Sequence, residues 1–210
     1  MAMIAKSQRE ERGRPSRFTR SDLVQAVTDM FWREGYKNLS LNHIAKEMGM
    51  NRSSFYNTFE TKEALFLECL AYYIEKSPTA RLKEYKEGQH IGALLYEVFV
   101  EICTIRSQDA GNRGCLIVNA IGELAAEDSS IRAFLLKHKQ AGEQNMSLLI
   151  QSAVKQNELP SDTDVKAFVN TITCFMHGMN MHAKTGASLQ DMRAMCHIFC
   201  IKIGFSITCS

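Results

Sequence analysis

The chain has 210 residues, a formal net charge of +2 and 45% hydrophobic residues, enough apolar material for one large domain or two small ones. No stretch reaches the roughly 18 consecutive apolar residues of a transmembrane helix, and the first residues lack the apolar core of a secretion signal. Seven cysteines without a CxxC pair argue against a disulfide framework. We therefore expect a cytoplasmic protein with no membrane partner.

Helical periodicity dominates the sequence, and only three prolines interrupt it, so an all-α fold is predicted. Positive charge is concentrated at the start: residues 1–62 carry a balance of +4 and residues 63–210 a balance of −2. Such a bias is expected where one end of a protein meets DNA phosphates. Residues 1–16 are polar and contain several basic residues, and we predict that they form a flexible basic arm.

Three helices are predicted after the arm. Thr19 or Ser21 can cap the first helix, and Gly35 can end it. Its apolar face consists of Leu23, Val27, Met30 and Phe31. Two short helices follow, one capped by Ser40 and ending at Met48, the other capped by Asn51 and ending near Phe59.

Longer helices are predicted in the rest of the chain. Thr61 can start a helix that Pro78 kinks or ends. Further helices are predicted over 91–106, over 115–126, from a cap at Ser129 or Ser130 to about Asn157, from a cap at Asp162 or Thr163 to about Lys184, and over 189–207.

Residues 40–59 have the spacing of a helix-turn-helix. Ala45 is small enough for the two helices to approach closely, and Gly49 lies where a tight turn needs a positive φ angle. The polar face of the second helix consists of Arg52, Ser53, Tyr56 and Asn57. Side chains of these types can hydrogen bond to base edges in the major groove and to the DNA backbone.

Residues 17–77 resemble the DNA-binding domain of the TetR family of repressors. The matching features are the first helix ending in Gly35, the Ser40 cap, Ile44-Ala45, Gly49, the Phe55-Tyr56 pair, Phe59 and the run Lys62-Glu63-Ala64-Leu65. The resemblance implies a three-helix DNA-binding domain over 17–77 and a helical ligand-binding and dimerisation domain over 78–210. It also implies a transcriptional repressor that is not an enzyme and needs no cofactor.

The resemblance implies a role for each matching residue in the DNA interface. Ser40 and Lys62 would bind phosphates, Arg52 and Ser53 would reach bases or backbone, Tyr56 and Asn57 would lie along the groove, and Arg14 would enter the minor groove. We expect the side chains of Tyr56 and Lys62 to be exposed. The implied partners are a double-stranded operator with an inverted repeat, a second copy of the chain, and a small-molecule effector that releases the DNA.

The resemblance also implies that the last two helices form a four-helix dimer interface. Their sequences place bulky and small residues at packing spacing. The residues concerned are Ala167, Phe168, Thr171, Phe175, Gly178 and Met179 in the first helix, and Leu189, Met192, Met195, Cys196, Phe199 and Cys200 in the second.

Residues 113–119 resemble a motif of the family branch that includes the repressor of N-ethylmaleimide reductase. This match makes Cys103 and Cys115 candidate sensor thiols. Cys115 follows Gly114 at a predicted helix start beside Arg113, and both features stabilise a thiolate. Cys103 is a candidate resolving partner for a disulfide. The alternative is that both thiols are small core residues.

Two other effector classes stay open on the sequence. An apolar ligand would be lined by side chains such as Met146 and Phe175, with polar contacts from Asn119 and His177. Metal sensing would use Cys and His at helical spacing, as in Cys174, His177 and His182 or in Cys196, His197 and Cys200. Such residues on packed helices are more often core, so no metal site is assigned.

An enzyme is disfavoured because the chain lacks a Gly-rich phosphate loop after a strand, a GxSxG motif and an HExxH motif. A helical thiol enzyme is the remaining alternative in that class. Salt-dependent binding to duplex DNA distinguishes the two classes.

Overall fold

The computed structural model describes residues 19–127 and 129–207, except for the side chain of Ser54. The predicted arm over 1–16, including Arg14, lies outside these residues. Every regular element within them is helical, so the all-α prediction is confirmed. The elements are α1 (Arg20–Glu34), α2 (Leu41–Glu47), α3 (Arg52–Thr58), α4 (Lys62–Glu75), a 3₁₀ helix (Pro78–Glu84), α5 (Ile91–Ser107), α6 (Leu116–Leu124), α7 (Ser130–Lys155), α8 (Val165–Lys184) and α9 (Leu189–Lys202).

Hydroxyl side chains cap the helices of the N-terminal third. The Oγ atoms of Thr19, Ser40 and Thr61 accept hydrogen bonds of 3.0–3.2 Å from backbone N–H groups in the first turns of α1, α2 and α4. Such caps satisfy N–H groups that have no partner inside the helix. Gly35 follows α1 with a φ angle of 83°, which favours glycine. These predicted helix boundaries are confirmed.

Two predicted boundaries in the C-terminal half are wrong. Asp164, and neither Asp162 nor Thr163, caps α8, because its Oδ1 accepts a hydrogen bond of 3.0 Å from the N–H of Ala167. Helix α9 ends at Lys202 and does not continue to Ile207.

The early end of α9 has a packing reason. Gly204 has a φ angle of 104°, and the buried Phe205 then packs on Gly92 of α5. A Cβ atom on Gly92 would come within 2.7 Å of the Phe205 ring. The glycine therefore makes room for the ring, and helical periodicity gave no sign of this contact.

The apolar side chains form two hydrophobic clusters. The first joins α1–α4 to α6 and to the beginning of α7, through residues such as Phe66, Leu124 and Leu135. The second joins α5, the end of α7, α8 and α9. Packing is therefore continuous across the predicted domain boundary at residue 77, and α6 completes the core beneath the first four helices.

Candidate functional site

Helices α2 and α3 pack as a helix-turn-helix. Gly49, with a φ angle of 61°, begins the turn, and the N–H of Met50 donates a hydrogen bond of 2.9 Å to the Ala45 carbonyl. Ile44, Ala45 and Phe55 are buried between the helices. This packing holds α3 with its opposite face towards solvent.

The outer face of α3 carries hydrogen-bonding groups and no carboxylate. Arg52, Ser53 and Asn57 are exposed, whereas Tyr56 is half-buried. The Tyr56 hydroxyl donates a hydrogen bond of 3.4 Å to Asn42 Oδ1, and the Arg52 guanidinium lies 5.6 Å from the centre of the Tyr56 ring. The structure therefore brings these four predicted DNA contacts together on one surface that suits phosphates and base edges.

Ser40 and Lys62 flank this face, at the starts of α2 and α4. Ser40 is exposed, and its hydroxyl already accepts the cap hydrogen bond. Lys62 is half-buried, with Nζ 4.2 Å from the centre of the Tyr36 ring, and burial lowers the pKa of its ammonium group. The expectation that Tyr56 and Lys62 are exposed is therefore wrong, because each side chain packs on a neighbour.

Arg20 fixes the end of α3, a role that no pattern in the sequence predicted. Its Nη1 donates a hydrogen bond of 2.8 Å to the Thr58 carbonyl, and its Nη2 lies 2.5 Å from Glu68 Oε1 of α4. The guanidinium also lies 4.7 Å from the centre of the Phe59 ring. No local motif relates residues so distant in sequence.

Several polar contacts join the helix-turn-helix to the rest of the chain. Glu123 of α6 accepts hydrogen bonds from the backbone N–H groups of Tyr36 (3.1 Å) and Lys37 (2.8 Å). Arg113 forms ion pairs with Asp29 of α1 and, at 2.8 Å, with Asp109. A displacement of α6 therefore acts directly on the turn that follows α1.

Two adjoining cavities lie beneath α4 and the 3₁₀ helix, with volumes of about 180 and about 120 Å³. The residues that line both are Ile74, Thr79, Ile117, His138, Met176 and His177. Met146 lines the larger cavity, and Arg106 and Cys115 line the smaller one. Burial lowers the pKa of both histidines, and the positive charges of Lys83 and Lys139 act in the same direction.

Two predicted ligand contacts lie elsewhere. Phe175 stacks on Phe199 with a distance of 3.7 Å between ring centres, inside the second hydrophobic cluster. Asn119 donates a hydrogen bond of 2.8 Å to the Arg113 carbonyl and accepts one of 3.1 Å from Lys184 Nζ. Neither side chain lines the two cavities.

Comparison with known families identifies both halves of the chain. Residues 23–69 match the bacterial regulatory proteins of the tetR family, and residues 94–199 match the tetracyclin repressor-like C-terminal domain. The second match alone spans half of the sequence. The chain belongs to the TetR family. It is therefore a transcriptional regulator with a DNA-binding helix-turn-helix, and it is not an enzyme.

Individual TetR-family relatives are distant in sequence but alike in length. The transcriptional repressor ComR of Escherichia coli (strain K12) is 24% identical over 185 residues, covering 88% of this chain and 88% of ComR. The repressor BdcR of the same strain is 24% identical over 192 residues, covering 91% and 92% of the two chains. A cysteine mutant of the TetR family regulator CifR, solved with 26-bp double-strand operator DNA, matches with a TM-score of 0.78. That match has 24% identity and covers 90% of this chain and 98% of CifR, and it shows a common fold.

The two candidate sensor thiols of this TetR-family chain have different surroundings. Cys103 is fully buried, with its Sγ 3.5 Å from both Cys196 Sγ and Met179 Sδ. A hydrogen bond between the two thiols lowers the pKa of Cys103 and raises that of Cys196. Cys115 is half-buried at the position that precedes α6. The thiol beside Cys103 is therefore Cys196, which replaces Cys115 as its candidate disulfide partner.

The residues that the sequence placed at metal-ligand spacing lie apart from one another in the structure. Cys174 is exposed on α8, whereas His177 lines the cavities and Cys196 packs on Cys103. Within residues 19–127 and 129–207, no three His, Cys, Asp or Glu side chains are grouped so as to hold a metal ion. In the same residues, no helix is long and apolar enough to cross a membrane.

Proposed function

We propose that this TetR-family regulator is a repressor that binds an inverted-repeat operator as a homodimer and releases it when an effector binds. The observation that carries the proposal is the acid-free polar face of α3, held outward by the buried Ile44, Ala45 and Phe55. ComR and BdcR are named repressors, which supports this direction of regulation. Since its operator would lie on the chromosome, the protein would act in the cytoplasm.

The dimer face that we propose runs along α8. Ala167, Thr171, Cys174 and Gly178 form an exposed stripe of small residues without charge, and the half-exposed Met181 continues it. Small side chains let two helices approach closely. On α9, Ile198 and Ile201 expose 58% and 46% of their surface.

This assignment changes the predicted composition of the α9 face. The side chains of Met192, Cys196 and Cys200 are buried against the chain's own core, and Phe199 stacks on Phe175. Met192, Cys196 and Cys200 are therefore covered within one chain, and the half-buried Phe199 is partly covered by Phe175. The exposed isoleucines are the better candidates for that contact.

Release would follow from a change in the separation of the two α3 helices. Two recognition helices must lie about 34–36 Å apart to enter successive major grooves. The hydrogen bonds from Tyr36 and Lys37 to Glu123 and the ion pair between Arg113 and Asp29 connect that geometry to the regulatory helices. An effector that binds one arrangement of these helices more tightly would shift the population of dimers away from the DNA-binding state.

Cys115 supports a second kind of effector, an electrophile that reacts with a thiol. It lines the smaller cavity and is half-buried, whereas Cys103 is fully buried. A group added to Cys115 would fill cavity space between α4, α6 and α8. Comparing operator release by a mild electrophile for wild type and Cys115→Ser tests this proposal, and equal release would remove Cys115 from the mechanism.

The proposed function is tested by selecting duplexes that bind the full chain from a random pool. We expect an inverted repeat whose half-sites lie about one helical turn, 10–10.5 base pairs, apart or at a multiple of it. An enriched sequence without two-fold symmetry, or no enrichment, would contradict the proposed function.

A further inference from the structure

Arg106, near the end of α5, is a buried cation without a carboxylate partner in the described part of the chain. Only 6% of its surface is exposed. Its hydrogen bonds go to neutral groups, from Nε to Asn180 Oδ1 at 2.9 Å and from Nη2 to the Tyr73 hydroxyl at 2.7 Å. The Trp32 ring centre lies 5.4 Å from the guanidinium carbon. Aromatic faces and the C-terminus of a helix offset part of the cost of burying a charge, but neither supplies a counter-ion.

The cavities beside Arg106 are lined by more positive than negative charge. Lys83 and Lys139 line the larger cavity, and Glu143, the one acidic residue that lines it in the described part of the chain, pairs with Lys139 at 2.5 Å. His138 and His177, in the wall that both cavities share, have lowered pKa values to which these lysines contribute. A cleft lined by an excess of positive charge attracts an anion.

We propose that the effector is a small organic monocarboxylate whose carboxylate binds Arg106 and whose apolar part extends along Ile117, Met146 and Met176. The inference rests on the proposed function, because it identifies the ligand class of the cavity assigned there to effector binding. A guanidinium pairs with a carboxylate through two parallel hydrogen bonds. The two cavities, of about 120 and 180 Å³, accommodate a ring or a short alkyl chain.

A ligand bound at Arg106 would directly change contacts that Arg106 makes with the DNA-binding domain. Tyr73 belongs to α4, which follows the helix-turn-helix, and Trp32 belongs to α1. A carboxylate that takes the Nη2 N–H now donated to the Tyr73 hydroxyl would compete with that hydroxyl for it. The ligand therefore binds more tightly to the arrangement in which the hydrogen bond between Tyr73 of α4 and Arg106 of α5 is broken. Such a difference in affinity between two arrangements is what shifts their populations.

The chain's single tryptophan, Trp32, reports on this site. The full-length protein is titrated at constant ionic strength with acetate, butyrate, hexanoate and benzoate and with the four corresponding amides, following Trp32 fluorescence and thermal unfolding. We expect saturable binding of at least one acid, and about ten-fold to hundred-fold weaker binding of its amide, since hydrogen bonds to charged groups are the stronger ones. Equal binding of acid and amide, or no saturable response to any acid, would overturn the proposal.

Variants locate the site. Arg106→Gln is expected to remove the preference for the acid over its amide. Arg113→Gln is the matched control for ligand binding alone and should keep the preference for the acid, because that guanidinium lies 4.1 Å from the Trp32 ring centre but is already paired with Asp29 and Asp109. If Arg106→Gln does not fold, Tyr73→Phe serves instead, and we expect tighter acid binding because one guanidinium N–H is freed. Unchanged acid binding in whichever of these two variants is measured contradicts the assignment.

Operator binding is measured alongside to separate this inference from the proposed function. Release of DNA by amides as readily as by acids would overturn the anion site and leave the proposed function intact. Acid binding at Arg106 without any effect on the operator complex would keep the anion site but overturn the proposal that the acid is the effector, and it would leave the proposed function intact.

Discussion

The Glu123 carboxylate of α6 accepts a hydrogen bond of 3.1 Å from the backbone N–H of Tyr36, the residue that follows the left-handed Gly35. Its second oxygen accepts a hydrogen bond of 2.8 Å from the N–H of Lys37. The side chain thus satisfies two backbone donors just after α1. Glu123 of α6 is thus bonded directly to the backbone of the segment that leads from α1 into the helix-turn-helix.

Replacing Glu123 with Gln is expected to destabilise the fold. The amide can accept through only one oxygen and lacks the negative charge, so one backbone donor loses its partner, at a cost of about 1–3 kcal/mol. Chemical denaturation measures the change in the free energy of unfolding. Glu127→Gln is the control, since it removes only the exposed Lys37–Glu127 ion pair of 2.7 Å, which water and salt screen, so we expect little change in stability. An equal loss of stability in the two variants would show that the Glu123 hydrogen bonds stabilise the fold no more than the exposed ion pair does.

Lys62→Ala is expected to weaken operator binding by a similar factor for every duplex, because a phosphate contact carries no base identity. The salt dependence of log affinity should become shallower by about 1. Fluorescence anisotropy with the selected operator and with base-substituted operators measures both. Lys137→Ala, an exposed lysine on α7, is the control and should leave both quantities unchanged. A changed base preference in Lys62→Ala would contradict its assigned role.

Tyr56→Phe is expected to weaken operator binding while leaving the unfolding midpoint almost unchanged. The substitution removes only the hydroxyl that points towards Asn42 at a long 3.4 Å, and the ring still packs in place. Anisotropy and thermal unfolding of the same preparation separate the two effects. Wild-type affinity in the variant would remove the hydroxyl from the DNA interface.

Gly178→Arg is expected to convert the dimer into monomers that remain folded. A Cβ atom at Gly178 meets nothing within 4 Å, so the arginine fits the isolated chain but places a charge in the proposed α8 face. Gly122→Arg, at a second helical glycine with open space around it, is the matched control and should stay dimeric. Sedimentation measures both. A dimeric Gly178→Arg would show that α8 does not form the interface.

His138 and His177 make the stability of the folded chain depend on pH. Their folded-state pKa values lie below the ordinary 6.5, so the folded state resists protonation. Their contribution to the free energy of unfolding is therefore fully present above the ordinary pKa of 6.5. It is lost as the pH falls through the lowered pKa values of the folded state. Thermal unfolding across this range should show a smaller loss in the double variant His138→Asn, His177→Asn than in wild type. The exposed His182→Asn is the control and should follow wild type.

The sequence predicted what local chemistry determines. The caps at Thr19, Ser40 and Thr61 and the turn at Gly49 depend on residues within one turn of the chain, and all four are present in the structure. The helix-turn-helix could therefore be recognised before any contact was known.

Contacts between distant segments could not be predicted in this way. Phe175 was predicted both for a ligand site and for the dimer face, and Phe199 for the dimer face, but the two rings stack on each other within one chain. Lys62 was expected in solvent but packs on Tyr36, which lies in the turn between α1 and α2. Periodicity shows which face of a helix is apolar and leaves open which helix covers it.

DNA binding by the face of α3, with phosphate contacts around it, can be measured as the affinity for the selected operator across a range of salt concentrations. Each neutralised phosphate contributes about −0.9 to the slope of log affinity against log salt. We expect a steep negative slope for wild type, and weaker binding with a preserved fold when Arg52 and Asn57 are both replaced by alanine. A flat salt dependence, or wild-type affinity in that double variant, would contradict it.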